Sequence, residues 1–529
     1  MRILIKGGLL VDGTGMPAVV GDLLVEQDRI TRVGGSYEGE YEQCLDAQNL
    51  VVAPGFIDTH SHSDLQVLLE PHVPPKVRQG ITTEVLGQDG ISMAPLPARY
   101  IGSWRKNLAG LEGDSEAIDW KYETTKGYLQ LLETRGAGLN ECYLVPHGNV
   151  RMEAMGLDNR QPTQQELQRM CDIVRREMES GAYGLSTGLI YTPCAYAQTE
   201  ELIALCKTVA DKDGVFVVHQ RSEADAILNS MQEVLAIGRA SGVRIHFSHF
   251  KVCGKKNWDA MDAVLALLDD AKAEGLQVSF DQYPYVAGST MLGVILPPWA
   301  HDGGTDKLLK RLAEPALRKI MMRDMEQGLP GWDNFIDFAG LDQIFVTSVK
   351  TARNADVIGK NLVEIGQLRR KDPYEAVFDL LLQEENAVGM VDFYGTEEHV
   401  KTILTRPEQN VCTDGLLSGK PHPRVFGAFP RVLGKYVREE KVLSLEAAIR
   451  KMTAKPAEVF GLKQRGLLRE GYYADLVVFN PETIKDKGDY VNPSQYPAGI
   501  EYVLVNGVIA VSKDRQEDAL PGRVLRKKC

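Results

Sequence analysis

The sequence predicts an α/β fold: a (β/α)8 TIM-type barrel, a small β-sandwich domain built from both chain termini, and a lid-like insertion between strands 7 and 8. Three observations predict it. Short apolar runs alternate with amphipathic stretches through the middle of the chain, and eight such units are what a parallel barrel requires. Strand-like runs without helical period occupy both ends. The interval 281–410, ahead of the last run, is far too long for one helix and must hold an insertion. A length of 529 residues accommodates such a barrel with an appendage.

Residues 1–53 read as short strands. Ile3-Leu-Ile-Lys6 and Leu23-Leu-Val-Glu26 are separated by the turn pairs Asp12-Gly13 and Gly21-Asp22, and Arg29-Ile-Thr-Arg-Val33 follows. At the other end, Ala474-Asp-Leu-Val-Val-Phe-Asn480 and the run 502–511 are again strands, the latter folded on an Asn506-Gly507 hairpin turn. Neither half would bury a core alone, so 1–53 plus 460–529 are expected to share one β-sandwich. The intervening 54–459 are expected to form the barrel.

Within it, strands are expected at 52–58, 81–86, 141–146, 182–186, 215–219, 243–249, 276–281 and 410–413. Amphipathic helices at 163–180, 200–213 and 258–274 separate several of them. The insertion spans about 287–345. Its segment 300–338, with Gly303-Gly304, Pro330-Gly331 and charged helical stretches, is the expected lid.

Composition narrows the function. Hydrophobic content of 44% and charged content of 25% are ordinary for a soluble globular protein. A net charge of −12 argues against nucleic acid or an anionic membrane as partner. The apolar start of the chain is too short for a signal peptide and no stretch is long enough to span a bilayer. The eight scattered cysteines read as reduced thiols, so a cytoplasmic enzyme is expected. Monomer and homo-oligomer both stay open.

The chemistry is organised around Ala53-Pro-Gly-Phe-Ile-Asp-Thr-His-Ser-His-Ser-Asp64. On an extended strand residues i and i+2 face the same way, so His60 and His62 reach one point past the strand end. Barrel chemistry sits at the C-terminal strand ends. Reading the other ends gives Asp89 after strand 2, His219 on strand 5, His249 on strand 6 and Asp414 after strand 8. Four histidines and two carboxylates converging on one face form a metal site. His72, His246, His301 and His399 lack that placement and read as structural or exposed. His147 ends strand 3 without a partner pointing to it. Asp58 and Asp281 are expected to hold backbone or ligand histidines.

These residues, with Val11-Asp-Gly-Thr-Gly15, Gly184-Leu-Ser-Thr-Gly-Leu-Ile-Tyr191, Ser248-His-Phe-Lys251, Asp281-Gln-Tyr-Pro-Tyr285, Thr413-Asp-Gly415, His422-Pro-Arg424 and Ala474-Asp-Leu-Val-Val-Phe479, resemble the N-acyl-D-amino-acid deacylase (D-aminoacylase) family of the amidohydrolase superfamily. The resemblance runs through nearly the whole chain. It implies a zinc-dependent hydrolase that cleaves N-acyl-D-amino acids to a carboxylate and a free D-amino acid. It implies metal ligation by His60, His62, His219, His249 and Asp414. Where the family has Gly-Asn-Cys-Gly, whose cysteine is a ligand, this chain reads Gly87-Gln-Asp-Gly90. Asp89 stands in the thiolate's place, which leaves metal identity and a count of one or two open.

A substrate carboxylate needs cations and hydroxyls. Lys251 follows His249 by two residues and shares its strand-end face if the extended geometry persists, and the planar fork of Arg424 suits a carboxylate. Tyr191 and Tyr283 lie just past strands 4 and 7. In the resembled family such residues grip the substrate, with the lysine, the arginine and Tyr283 at its carboxylate; Ser289 is a further candidate there. Asp414 is expected to act as general base and then general acid on a metal-activated water. Two alternatives stand beside this reading. Cyclic-amide hydrolysis in the manner of hydantoinases and dihydroorotases commonly uses a carboxylated lysine after strand 4, where this chain has Gly184-Leu-Ser-Thr-Gly188. A non-catalytic protein on the same fold would have no need of all six ligating positions.

Overall fold

The computed structural model describes residues 1–513 and 515–528. Its two ends meet in one sheet. Leu476–Phe479 pairs antiparallel with Val51–Pro54, Leu476 opposite Pro54 and Phe479 opposite Val51. From that seam the sheet runs outward through Arg2–Leu10, Val19–Glu26 and Arg29–Val33 on one side, and through Ile500–Val505 and Val508–Ser512 on the other. The period-two alternation explains why it is buried on both faces. Val52, Leu476, Val478 and Leu504 pack with Ile3, Ile5, Leu23 and Val25. Their neighbours Val51, Ala53, Val477 and Phe479 face the other way, into the main core with Phe56 and Ile81.

The middle of the chain builds parallel ladders. Phe56–Asp58, Ile81–Leu86 and Asn140–Tyr143 form one set. Val145–Pro146, Gly184–Gly188, Val215–His219, Arg244–Phe247, Val278–Gln282 and Gln409–Val411 form a second, six strands wide and all parallel. Leu144 alone separates the sets at one junction. At the other, Ser61–His62 pairs parallel with Gly415–Leu416, and the Asp414 N–H donates to the His60 carbonyl at 2.9 Å. Helices such as Gln164–Glu179, Thr199–Ala210, Ile227–Ser241 and Met261–Ala273 connect consecutive strands. The first begins with a capping box, Thr163 and Glu166 satisfying each other's backbone N–H groups.

Between Val278–Gln282 and Gln409–Val411 lies a small antiparallel sheet, Ala287–Met291 and Ile344–Val349 flanking Val388–Phe393. The helices Thr305–Ala313 and Pro315–Gln327 fall within the first of its long connections. The third strand carries the inserted structure well past residue 345. Its run Val388-Gly-Met-Val-Asp-Phe393 is broken by glycine and by a charge, which hides it from pattern reading. Among the described residues no helix is long and apolar enough to cross a membrane.

Candidate metal centre

Asp58 locks the two ends of the parallel series together. Its carboxylate accepts from the Thr413 N–H at 2.8 Å and the Thr413 hydroxyl at 2.6 Å. It also takes the Lys76 ammonium at 2.7 Å. Lys76 is fully buried, donates to Ser61 Oγ at 2.7 Å and lies 3.6 Å from Glu84, whose carboxylate accepts from the Ser61 and Ser63 hydroxyls. Burial disfavours the ammonium, but Asp58 and Glu84 outweigh it and raise its pKa. The motif around the two histidines is thus fastened from beneath, with His60 beside Asp414.

Asp281 does the same for His249. It accepts the His249 N–H at 2.5 Å, with the Thr59 hydroxyl at 3.0 Å and His246 Nε2 at 2.9 Å on its other oxygen. His246 is therefore structural, as its placement in the sequence suggested. The clamp matters because His249 has φ 35°, and Asp89 and Asp414 have φ 55° and 48°. Left-handed backbone is costly for a residue with a side chain and persists where surrounding structure enforces it. The Asp89 turn is pressed against Gly188, where an added Cβ would stand 2.6 Å from the Asp89 carbonyl oxygen.

The six residues come together. His62 Nε2 is 3.4 Å from Asp414 Oδ1 and 3.5 Å from Asp89 Oδ2. His60 Nε2 is 3.6 Å from Asp89 Oδ1 and 3.7 Å from Asp414 Oδ1. His249 Nε2 is 3.7 Å from Asp89 Oδ1. His219 joins through Glu223, which lies 3.8 Å from its Nε2 and 3.1 Å from His249 Nδ1. Three overlapping groups could each hold an ion: His60, His62 and Asp414; His60, Asp89 and His249; His219, Glu223 and His249.

These separations suit a cation. Two ligands about 2.1 Å from a tetrahedral metal stand roughly 3.4 Å apart. Both ring nitrogens of His60, Nδ1 of His219 and Oδ1 of Asp89 are buried without a hydrogen-bond partner. An unpaired buried polar atom costs about 1–3 kcal/mol, so the cluster is built for an occupant that engages these atoms. The titrations agree. Burial pushes His219 down to about 4, leaving the neutral imidazole that metals bind. Burial also opposes charge on His62, yet Asp414, Asp89 and Glu112 outweigh it and hold its pKa well above the ordinary value. For Asp89 burial acts upward, but His60, His249 and His62 win and hold its carboxyl well below the usual range. The carboxylates demand positive charge at this point.

A cavity opens beside Asp414, His219 and Lys251. Tyr191 and Tyr283 line it. The Tyr191 hydroxyl lies 2.8 Å from Thr290 Oγ1, and its ring meets His219 edge-on. The cations are not free. Lys251 Nζ sits 2.6 Å from Glu223 Oε2 and 2.7 Å from His249 Nδ1. Arg424, fully buried, places Nη1 2.9 Å from Asp414 Oδ2 and donates through Nη2 to the Ser289 carbonyl at 2.9 Å. Its guanidinium lies 4.3 Å from the Tyr283 ring centre. The Ser289 hydroxyl donates to the Met390 carbonyl within the small sheet. His147 is bound to Thr187 Oγ1 and Glu201 Oε1, both at 2.8 Å, away from the cluster.

Several functional neighbours escape sequence reading. Glu223 and Glu112 each lie 3.1 Å from Nδ1 of a cluster histidine, His249 and His62. A carboxylate in that position orients the ring and fixes its tautomer. Glu223 could have been noticed, because it follows His219 by four residues directly after a strand end. Glu112 could not, since no local pattern marks it. His422 accepts the Arg424 N–H at 2.9 Å and reaches the Ala287 carbonyl at 3.0 Å, tying the arginine's loop to the small sheet.

Known proteins are similar to this chain over nearly its whole length. A family profile described as "Amidohydrolase family" matches residues 43–315 and 366–511. D-aminoacylase of Alcaligenes xylosoxydans xylosoxydans is 35% identical over 526 residues, covering 99% of this chain and 97% of that protein. N-acyl-D-glutamate deacylase of the same organism is 36% identical over 528 residues, covering 100% of this chain and 97% of that protein. Among solved structures, N-acyl-D-glutamate deacylase from Bordetella bronchiseptica, complexed with zinc and a phosphonate mimic of the tetrahedral intermediate, superposes with a TM-score of 0.85. That match has 34% identity and covers 99% of each chain.

Proposed function

This chain belongs to the amidohydrolase family, and from that premise we propose that it is a metal-dependent deacylase. It hydrolyses the linear amide of N-acyl-D-amino acids to a carboxylate and a free D-amino acid. The observation that carries this reading is the connected cluster of His60, His62, Asp89, His219, His249 and Asp414 beside a cavity lined by Tyr191, Lys251 and Tyr283. The ring of parallel ladders supports a (β/α)8 barrel over 54–459, and the shared sheet supports a separate β domain from 1–53 and 460–529. The seven described cysteines are all free, in keeping with a cytoplasmic setting.

One or two zinc ions would be held by the six residues, with Glu223 as a further donor. Bound zinc supplies a low-pKa water and polarises the scissile carbonyl. Asp414 takes the proton of the attacking water and returns it to the departing nitrogen, because an amide leaves badly as an anion. Arg424 fixes one oxygen of that carboxylate and leaves the other facing the histidines. Tyr191 stays protonated, since burial raises its phenol well above the ordinary value, and it donates to the developing oxyanion. Lys251, Arg424, Tyr283 and Ser289 surround the substrate's carboxylate, and Arg424 Nε, buried without a hydrogen-bond partner among the described residues, is a donor available there.

The reading is tested by assaying zinc-loaded protein on N-acetyl-D-amino acids, their L-forms and a hydantoin. Hydrolysis of D-forms alone is expected. Ring opening without D-amide cleavage would transfer the protein to the cyclic-amide class. A second test concerns Asp89. Replacing it by alanine should lower bound zinc, and Asp89→Cys should restore it with a softer ligand. Unchanged metal content in Asp89→Ala, measured by elemental analysis, would leave the residue as a turn former.

A further inference from the structure

The cavity carries a charge imbalance beyond the catalytic groups. Two of its carboxylates are matched, Glu223 by Lys251 and Asp414 by Arg424. A third, Asp333, comes from the insertion and accepts from Ser222 Oγ at 2.5 Å and the Glu223 N–H at 2.6 Å. The fourth, Asp392, lines the cavity at 2% exposure, and among the described residues no other side chain forms a salt bridge with its carboxylate within 4 Å. It sits on the central strand of the small sheet opposite Gly288. A Cβ on Gly288 would stand 3.0 Å from Asp392 Oδ1, 3.0 Å from the Tyr394 ring and 3.6 Å from the Tyr283 hydroxyl. The missing side chain therefore keeps the space beside that carboxylate open.

We propose that Asp392 reads the side chain of the D-amino acid, selecting one that donates a hydrogen bond, an amide or a cation, over a carboxylate. The proposal rests on the deacylase reading and follows by elimination among the parts of an N-acyl-amino acid. The acyl chain and the α-carboxylate have no hydrogen to give. The amide nitrogen has one, but that nitrogen must stand at Asp414 with its lone pair toward the carboxyl to receive a proton, which keeps its N–H at the reacting centre. Only the side chain remains. A second carboxylate on the substrate would instead meet Asp392, because Lys251 and Arg424, paired with Glu223 and Asp414, are taken up by the α-carboxylate. Like charges in a desolvated site are strongly disfavoured. Selection against acids would separate this chain from the glutamate deacylase it resembles.

N-acetyl-D-glutamine and N-acetyl-D-glutamate provide the test, because they match in size and differ in charge. Burial raises Asp392 to about 7, against Lys251 and Arg424 and with Glu223, so the assay is run at pH 8.5 where it is ionised. With zinc-loaded wild type, kcat/KM for D-glutamine should exceed that for D-glutamate by about 10²-fold. In Asp392→Asn, which keeps the shape, the ratio should fall at least about tenfold. Equal rates on the two substrates in wild type, or an unchanged ratio in Asp392→Asn, overturn the proposal. N-acetyl-D-leucine is run alongside. Its hydrolysis with a glutamine-to-glutamate ratio near one overturns the side-chain reading alone, whereas failure of all D-substrates overturns the deacylase reading and this proposal together.

Discussion

Replacing His219 or His249 by alanine is expected to remove tightly held zinc and to lower kcat/KM by more than about 10²-fold. The loss should exceed the roughly 10- to 100-fold that follows when a partner behind a metal ligand is removed. Glu112→Gln provides that lower benchmark, since its carboxylate sits 3.1 Å from Nδ1 of His62. His147→Gln is the control for burial itself. That ring is as deeply buried as His249, but it is satisfied by Thr187 and Glu201 and should keep the metal. Elemental analysis and rates before and after chelation check all three levels. Full activity in metal-free wild type would sink the metal-centre reading.

The parts of the site legible in the sequence are those whose position is fixed by local geometry. An apolar run ending in histidine specifies both a strand and the end it presents, so His219 could be placed without a structure. His60 and His249 instead lie just past the strands Phe56–Asp58 and Arg244–Phe247, His249 in left-handed backbone, and strand periodicity alone does not set their direction. Asp58 and Asp281 could be read as supports because each lies on such a strand, and both do hold backbone at the cluster. What stayed hidden depends on parts of the chain meeting over long separations. Lys76 would be assigned to solvent by its type, yet it is buried under the His60–His62 segment because Asp58 and Glu84 make a fitting place for an ammonium. Asp392 reaches the cavity only through a strand paired with residues a hundred positions earlier. Arg424 was legible as a cation at the mouth but not as the partner of Asp414. Its type and loop placement are local, and its ion pair is not.

That ion pair shapes the last expected result. Asp414→Asn keeps the shape of the side chain and removes its ability to take a proton. Substrate binding should survive while kcat falls by about 10²–10⁴-fold, the usual worth of a positioned general base. Arg424→Ala should behave differently from a simple loss of grip. Nη1 holds Asp414 Oδ2 at 2.9 Å, so the variant releases the base as well as the substrate's carboxylate. KM should rise by roughly 30- to 160-fold, corresponding to about 2–3 kcal/mol for a lost charge-assisted contact, and kcat should fall in the same variant. Masking the substrate's α-carboxylate as an amide separates the two effects. On the masked substrate the wild type should lose its KM advantage, whereas the kcat deficit of Arg424→Ala should persist, because it comes from Asp414. If wild type processes the masked substrate as fast as the free acid, the carboxylate clamp is overturned and the arginine serves Asp414 alone.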